Sequence, residues 1–216
     1  FQEESVLIAD ESAEEKAGSQ VAGSGRQYNG RLGKIEMSQV GVFLGLTKGG
    51  YRTWIDGELY LPKHWFTQSY EKTRKKLAIP SSRQFQTKIE LVYEMVKRVQ
   101  ENGVPFIAFD CDTFYGRSSW LRYELDKLGV TYYADVPCDT KVYLEKPRIL
   151  KEQKRKNMKV TVFGMSTTVE FLESDLTFIE ISLRPSERGH LKAKFACQLV
   201  WLVSKDGTLR QEWLLI

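Results

Sequence analysis

The amino-acid sequence predicts an α/β protein: a mixed sheet flanked by helices over residues 1–136, then a β-rich segment over residues 137–216. Three observations carry this. Short apolar runs of strand length alternate with two stretches whose apolar residues recur at helical spacing. Two of those runs end abruptly in acids, the pattern of buried strands that deliver carboxylates to a sheet edge. After Pro137 the helical spacing gives way to brief alternating segments separated by turn residues.

Val6-Leu7-Ile8-Ala9 is the first strand and stops at Asp10-Glu11-Ser12. Residues 13–34, with Gly18, Gly23, Gly25, Gly30 and Gly33, read as a long mobile connection. Val40 to Leu46 is a second strand and Lys48-Gly49-Gly50 a turn. Tyr51 to Leu61 is a third strand, with Trp54, Ile55, Leu59 and Leu61 as its apolar positions, completing a hairpin. Phe85, Ile89, Val92, Val96 and Val99 are spaced 4, 3, 4 and 3 and share one helical face, which Asn102-Gly103 ends. Val104 to Phe109 is a buried strand running into Asp110-Cys111-Asp112. Arg117 to Leu128 is a helix with Trp120, Leu121, Leu125 and Leu128 inward, Ser118-Ser119 at its start and Gly129 past its end. Val130 to Ala134 is the next strand.

Beyond Pro137, Val160 to Val162, Val169 to Leu172, Thr177 to Leu183, Lys194 to Val203 and Leu209 to Ile216 read as mostly antiparallel strands. Ser186-Glu187-Arg188-Gly189 and Lys205-Asp206-Gly207 are turns. No internal repeat is visible.

Composition narrows the function classes. A chain of 216 residues, 42% hydrophobic, 12% aromatic and 28% charged, is neither disordered nor, without any apolar stretch near 18 residues, membrane-spanning. Cys111, Cys138 and Cys197 form neither a C-x-x-C pair nor an even-numbered framework, which fits reduced thiols in a cytosolic setting. His64 and His190 are lone, and no G-x-S-x-G elbow or Walker loop is present, so serine hydrolase and nucleotide-triphosphatase readings lack support. The chain opens on Phe1 and stops at Trp213-Leu214-Leu215-Ile216 within a strand-like stretch, the pattern of a piece of a longer chain. Net charge is +4 but uneven. Glu3, Glu4, Asp10, Glu11, Glu14 and Glu15 crowd the start, whereas Arg148, Lys151, Lys154, Arg155, Lys156 and Lys159 face only Glu152. That second density is able to neutralise several phosphates; a solvated surface face is the plainer reading of the same run.

Three strands, helix, strand, helix, strand, with an acid after the first strand and another after the fourth, is the element order of an RNase H-like domain. Central neighbouring strands lie about 4.8 Å apart, so Asp10 and Asp112 projecting from one edge would share a divalent ion, or a pair roughly 3.5–4 Å apart. Oxygen ligands suit Mg²⁺ or Mn²⁺, and such a site serves in-line attack on a phosphodiester. Aspartates at strand ends also cap turns and helices without any metal.

The motifs go further. Asp10-Glu11-Ser12, Lys16-Ala17-Gly18, Gly25-Arg26-Gln27-Tyr28-Asn29-Gly30, Leu32-Gly33-Lys34 and Ser38 to Leu44 resemble the catalytic domain of bacterial insertion-sequence transposases of the DDE class. Ile55-Asp56-Gly57-Glu58-Leu59-Tyr60-Leu61-Pro62 with Trp65, Phe85 to Leu91, Gly103-Val104-Pro105-Phe106 and Asp112-Thr113-Phe114-Tyr115-Gly116 are similar to the same family, in the same order.

The resemblance implies that Asp10 is the first metal-binding carboxylate and Asp112, in its D-x-x-Y-G setting, the second, holding two Mg²⁺ or Mn²⁺ ions. Asp110 is the reserve ligand, sharing a side of the strand with Asp112 if the strand extends that far. The family's third acid is a glutamate on a helix after a β-rich insertion. Residues 137–216 look like that insertion, and Glu170, Glu180 and Glu212 sit in strand-like segments, so no third catalytic residue is assigned. Lys16, Arg26, Lys34 and Lys88 fall near the active edge, where they would touch phosphates or simply be solvated. Tyr28 and Tyr115 would stack on bases, support the acids or pack. The implied activity is metal-dependent cleavage and strand transfer on transposon-end and target DNA, by a homo-oligomer in the bacterial cytoplasm at the nucleoid. A truncated non-catalytic fragment that binds DNA or a partner, and a stand-alone RNase H-like nuclease, are the alternatives.

Overall fold

Leu7 and Ala9 are buried while Ile8 and Asp10 are exposed, the period-2 signature of a strand with one covered and one open face. The computed structural model describes residues 5–18, 20–154, 157–172, 176–186 and 189–216, and the chain divides into two compact units, Phe1–Val136 and Pro137–Ile216.

In the first unit, β1 (Val6–Glu15) lies between β3 (Lys34–Lys48), antiparallel to it, and β5 (Ala108–Cys111), parallel to it. β6 (Tyr132–Ala134) continues the sheet parallel to β5, and both β2 (Gly25–Asn29) and β4 (Tyr51–Tyr60) pair antiparallel with β3. A short helix α1 (Glu71–Lys76) precedes α2 (Lys88–Glu101), and α3 (Thr113–Gly116) and α4 (Ser119–Lys127) connect β5 to β6. Leu91, Val92, Met95, Val96 and Val99 of α2 and Leu121 and Leu125 of α4 are buried in one core with Leu7, Ala9, Val42 and Leu44. Burying each of these Leu, Val and Met side chains is worth about 1.5–3 kcal/mol. A one-residue slip of β1 would expose Leu7 and Ala9, so the core sets which way Asp10 faces. This mixed sheet with its helices is consistent with an RNase H-like fold.

Several local expectations change. β1 does not end at Asp10 but runs on to Glu15, paired with β3 throughout. The expected connection over residues 13–34 is therefore partly strand. β2 pairs with the polar start of β3, and its approach is pinned by Gln39 Nε2 to Ala22 O (2.7 Å) and Trp65 Nε1 to Ser24 O (2.8 Å). β5 starts at Ala108, past Pro105, which has no N–H to give a ladder, and so includes Asp110. The helix expected over Arg117 to Leu128 is present as α4, capped by Ser118, but Trp120 lies outward against Tyr93 rather than inward; the short α3, capped by Asp112, precedes it. In β4 a register shift opposite Leu44/Gly45 leaves Ile55 unpaired, so that Ile55 and Asp56 both turn to the core side while Trp54 lies on the open face.

The second unit consists of two-stranded pieces: β7 (Lys141–Val142) with β10 (Thr167–Thr168), β8 (Arg148–Lys154) with β9 (Asn157–Phe163), β11 (Ile179–Ser186) with β12 (Gly189–Phe195), and β13 (Cys197–Val203) with β14 (Leu209–Leu215). The strand expected over Lys194 to Val203 is broken at Ala196, which pairs with Ile216 instead. Val169–Leu172 is one helical turn, α5, rather than a strand: Leu172, three residues after Val169, is buried with Val142 and Val200. Glu187 and Arg188 of the expected turn lie outside the described residues.

Candidate active site

The parallel register of β1 and β5 ends at the pair Ala9 and Cys111, so Asp10 and Asp112 are each the next residue on neighbouring strands. Partners in register share a face of the sheet. Leu7 with Phe109 and Ala9 with Cys111 face the helices; Ile8 with Asp110 face away, and the same alternation sends Asp10 to the open face, with Asp112 exposed where β5 gives way to α3. The two acids named from sequence thus leave adjacent strands at one level.

Each carboxylate has one oxygen held by the backbone. Asp10 Oδ1 accepts from Glu11 N (2.7 Å), and Asp112 Oδ1 accepts from Phe114 N (3.0 Å) and Tyr115 N (3.3 Å). Asp112 therefore does cap α3, and the capping role leaves its second oxygen to solvent. A pair of oxygen donors, each with one free atom on an exposed face, fits part of the shell of Mg²⁺ or Mn²⁺, which keep several waters and accept substrate oxygens. Among the described residues no group of three or more His, Cys, Asp or Glu is close enough to hold a metal.

Asp110 stands one row behind, in register with Ile8 and Tyr133 on the same face. Burial, then the charge of Asp135, raises its carboxyl above the usual aspartate range. Asp135, which follows β6 and donates its N–H to Cys111 O (3.1 Å), is absent from the candidates named from sequence, although Val130 to Ala134 running into Asp135 repeats the strand-then-acid pattern of the other two. Cys111, buried between these acids, has its thiol pushed up to about 12, first by burial and then by the neighbouring carboxylates.

On the covered face, directly after Asp10, Glu11 accepts from Lys88 Nζ (2.7 Å) and from the hydroxyl of the fully buried Tyr115 (2.5 Å). Burial first, then the bond to Glu11 and the charges of Glu11, Asp10 and Asp112, hold the Tyr115 phenol well above its ordinary range. Lys88 Nζ also lies 5.3 Å from the Phe114 ring centroid and 5.7 Å from that of Tyr60, so this ammonium is engaged within the fold. Arg98 grips Asp56 and Glu58 of β4 on the same face, fastening α2 to the sheet, and Arg83, on the connection before α2, pairs with Glu58 as well.

The other basic residues are placed variously. Lys16 is half-buried, its N–H on Met37 O (2.8 Å). Arg26 is exposed, and Lys34 pairs with Glu36 (3.0 Å). In the second unit Arg148, Lys151 and Lys159 are exposed on the β8–β9 hairpin, with Lys154 at its end; Arg155 and Lys156 lie outside the described residues. The register puts Arg148 and Lys159 on one face and Lys151 on the other, so the linear basic run is split over two faces.

The mixed α/β sheet with its helices is of the class consistent with an RNase H-like fold. Residues 1–159 match the family model described as DDE superfamily endonuclease, and the chain belongs to that family. It is 27% identical over 133 residues to a protein named "Probable transposase for insertion sequence element IS701" from Microchaete diplosiphon, a match covering 59% of this chain and 30% of that protein. The chain thus spans about a third of that relative's length. No solved structure matches it. Among the described residues no helix is long and apolar enough to cross a membrane.

Proposed function

We propose that residues 1–136 are the first part of a transposase catalytic core and residues 137–216 its β-rich insertion, and that Asp10 and Asp112 hold divalent ions for DNA cleavage and strand transfer. The observation that supports this is the strand register, which ends at Ala9 and Cys111 and so makes each acid the next residue on neighbouring strands. Bound Mg²⁺ or Mn²⁺ would supply Lewis acidity at the scissile phosphate and lower the pKa of the attacking water or 3′-hydroxyl. The chain's own contribution is placement: each backbone-held carboxylate keeps one oxygen pointing outward. Asp110 is a reserve ligand, one row behind the other two on the same face. Arg26, Lys16 and Lys34 in the first unit and the basic hairpin in the second would contact transposon-end and target DNA, on which the protein acts as a homo-oligomer.

The test is Mn²⁺ binding followed by electron paramagnetic resonance. Asp112→Asn keeps the cap, since asparagine caps as well as aspartate, and removes only the charge. It and Asp10→Asn should each lower Mn²⁺ affinity by about tenfold or more; unchanged affinity in both would remove the basis of the proposal. Scoring hydrolysed and joined DNA products separately distinguishes a transposase from a stand-alone nuclease.

A second reading is that this chain binds DNA without cutting it. The finding that favours it is that no third metal-binding side chain joins the two acids among the described residues.

A further inference from the structure

We propose that Glu11, Tyr115 and Lys88 form a brace on the covered face of the sheet that sets the spacing of Asp10 and Asp112 on the open one. The contacts run without a break from one acid to the other. Asp10 Oδ1 accepts from the Glu11 N–H; Glu11 Oε2 accepts from the Tyr115 hydroxyl; the Tyr115 N–H donates to Asp112 Oδ1. Lys88, the first residue of α2, completes the brace through Glu11 Oε1 and ties a third element to it.

Packing alone would not ask for these residues. Glu11 follows Leu7 and Ala9 on the face that builds the core, where another apolar residue would satisfy burial. A carboxylate there has to be compensated, because an ion taken out of water without partners is strongly disfavoured. The compensation comes from Lys88 and Tyr115, 77 and 104 residues further along. Glu11 and Lys88 keep only 25% and 15% of their side chains exposed, and Tyr115 none, so water does not loosen the joint. What a polar joint gives and an apolar one does not is direction. The bond from the Tyr115 hydroxyl fixes how α3 meets β1, and so the separation of the acids that precede Glu11 and Tyr115, while the bond from Lys88 holds the Glu11 carboxylate against α2. Groups behind metal ligands ordinarily act this way, orienting carboxylates they do not replace.

This inference rests on the reading of Asp10 and Asp112 as metal ligands, and one set of measurements on this chain separates the two. Mn²⁺ affinity is read by electron paramagnetic resonance, with thermal unfolding of each variant alongside. Tyr115→Phe keeps the ring and the backbone N–H and removes only the joint to Glu11. The expected result is loss of Mn²⁺ binding in Asp10→Asn, and affinity lowered about tenfold in Tyr115→Phe at an unfolding temperature close to the parent's. Glu11→Ala should lose affinity similarly, and Glu11→Gln, which still accepts from Tyr115, should recover most of it. These half-buried-site variants carry the test should Tyr115→Phe fold poorly. If Asp10→Asn loses the ion while Tyr115→Phe and Glu11→Ala bind it like the parent, the brace is wrong and the metal site stands. If Asp10→Asn binds Mn²⁺ unchanged, the metal reading fails and the brace falls with it.

Discussion

Gly116 lies against the backbone of Asp135 so closely that a Cβ built on it would stand 2.0 Å from the Asp135 carbonyl oxygen. Gly116 ends α3, the helix Asp112 caps, and Asp135 follows β6, so this contact presses the segment after the second acid onto the strand beside it. The obstructing atom is backbone and has no rotamer to escape into. Gly116→Ala is therefore expected to destabilise the protein by about 2–3 kcal/mol, toward the top of the range for overpacking. Urea denaturation checks this; a loss below about 0.5 kcal/mol, the size of an ordinary surface change, would mean that α3 and β6 separate freely.

A capping box starts α2: Thr87 Oγ1 accepts from Glu90 N (3.2 Å), and Glu90 Oε2 accepts from Thr87 N (2.7 Å). Thr87→Ala should cost about 1 kcal/mol, and Thr87→Ser only a small part of it. Because Lys88 is the next residue, fraying here would also free the ammonium from Glu11. Equal denaturation midpoints for Thr87→Ala and the parent would show that tertiary packing alone sets where α2 begins.

The two aspartates are legible in the sequence because a buried run that stops at an acid is a local pattern, repeated at Ala9-Asp10 and before Asp112. The α2 face is legible for the same reason, its apolar residues recurring every three or four positions. Asp10 is nonetheless expected at a strand end and lies within a strand, since Ser12 to Glu15 extend β1 by backbone pairing that polar side chains do not announce. β2 escapes notice likewise, and the bulge in β4 gives no sequence signal, since it turns Ile55 and Asp56 toward the same side where regular alternation would separate them. Glu11 gives no signal at all. Its partners are far along the chain, and only the folded sheet brings them together.

Thiol reactivity separates the three cysteines. Cys111 is 3% exposed with its thiol pushed up to about 12, whereas Cys138 and Cys197 are exposed. A raised pKa means that the thiolate, the reactive form, is scarce in the folded protein until pH approaches that value. At pH 8 an aromatic disulfide reagent should modify two thiols quickly and the third only on unfolding. Three fast thiols would show that the centre of the sheet opens on the timescale of the reaction.

The split of the basic run over two faces of the β8–β9 hairpin makes its contribution to DNA binding separable. Arg148, whose guanidinium lies 4.9 Å from the Phe163 ring centroid, shares a face with Lys159. Lys151 faces the other way, toward the Gly207 turn, where a Cβ on Gly207 would stand 2.7 Å from its Cε. A duplex lying on the first face would meet Arg148 and Lys159 and miss Lys151. Arg148→Glu with Lys159→Glu should then weaken duplex binding at low salt with little dependence on DNA sequence, and lower the slope of log affinity against log salt by about one for each phosphate that is no longer neutralised. Lys151→Glu should change the slope less. Titrations at several salt concentrations decide it: equal effects from both faces would mean that the hairpin acts through its total charge, and no effect from either would place the DNA elsewhere on the protein.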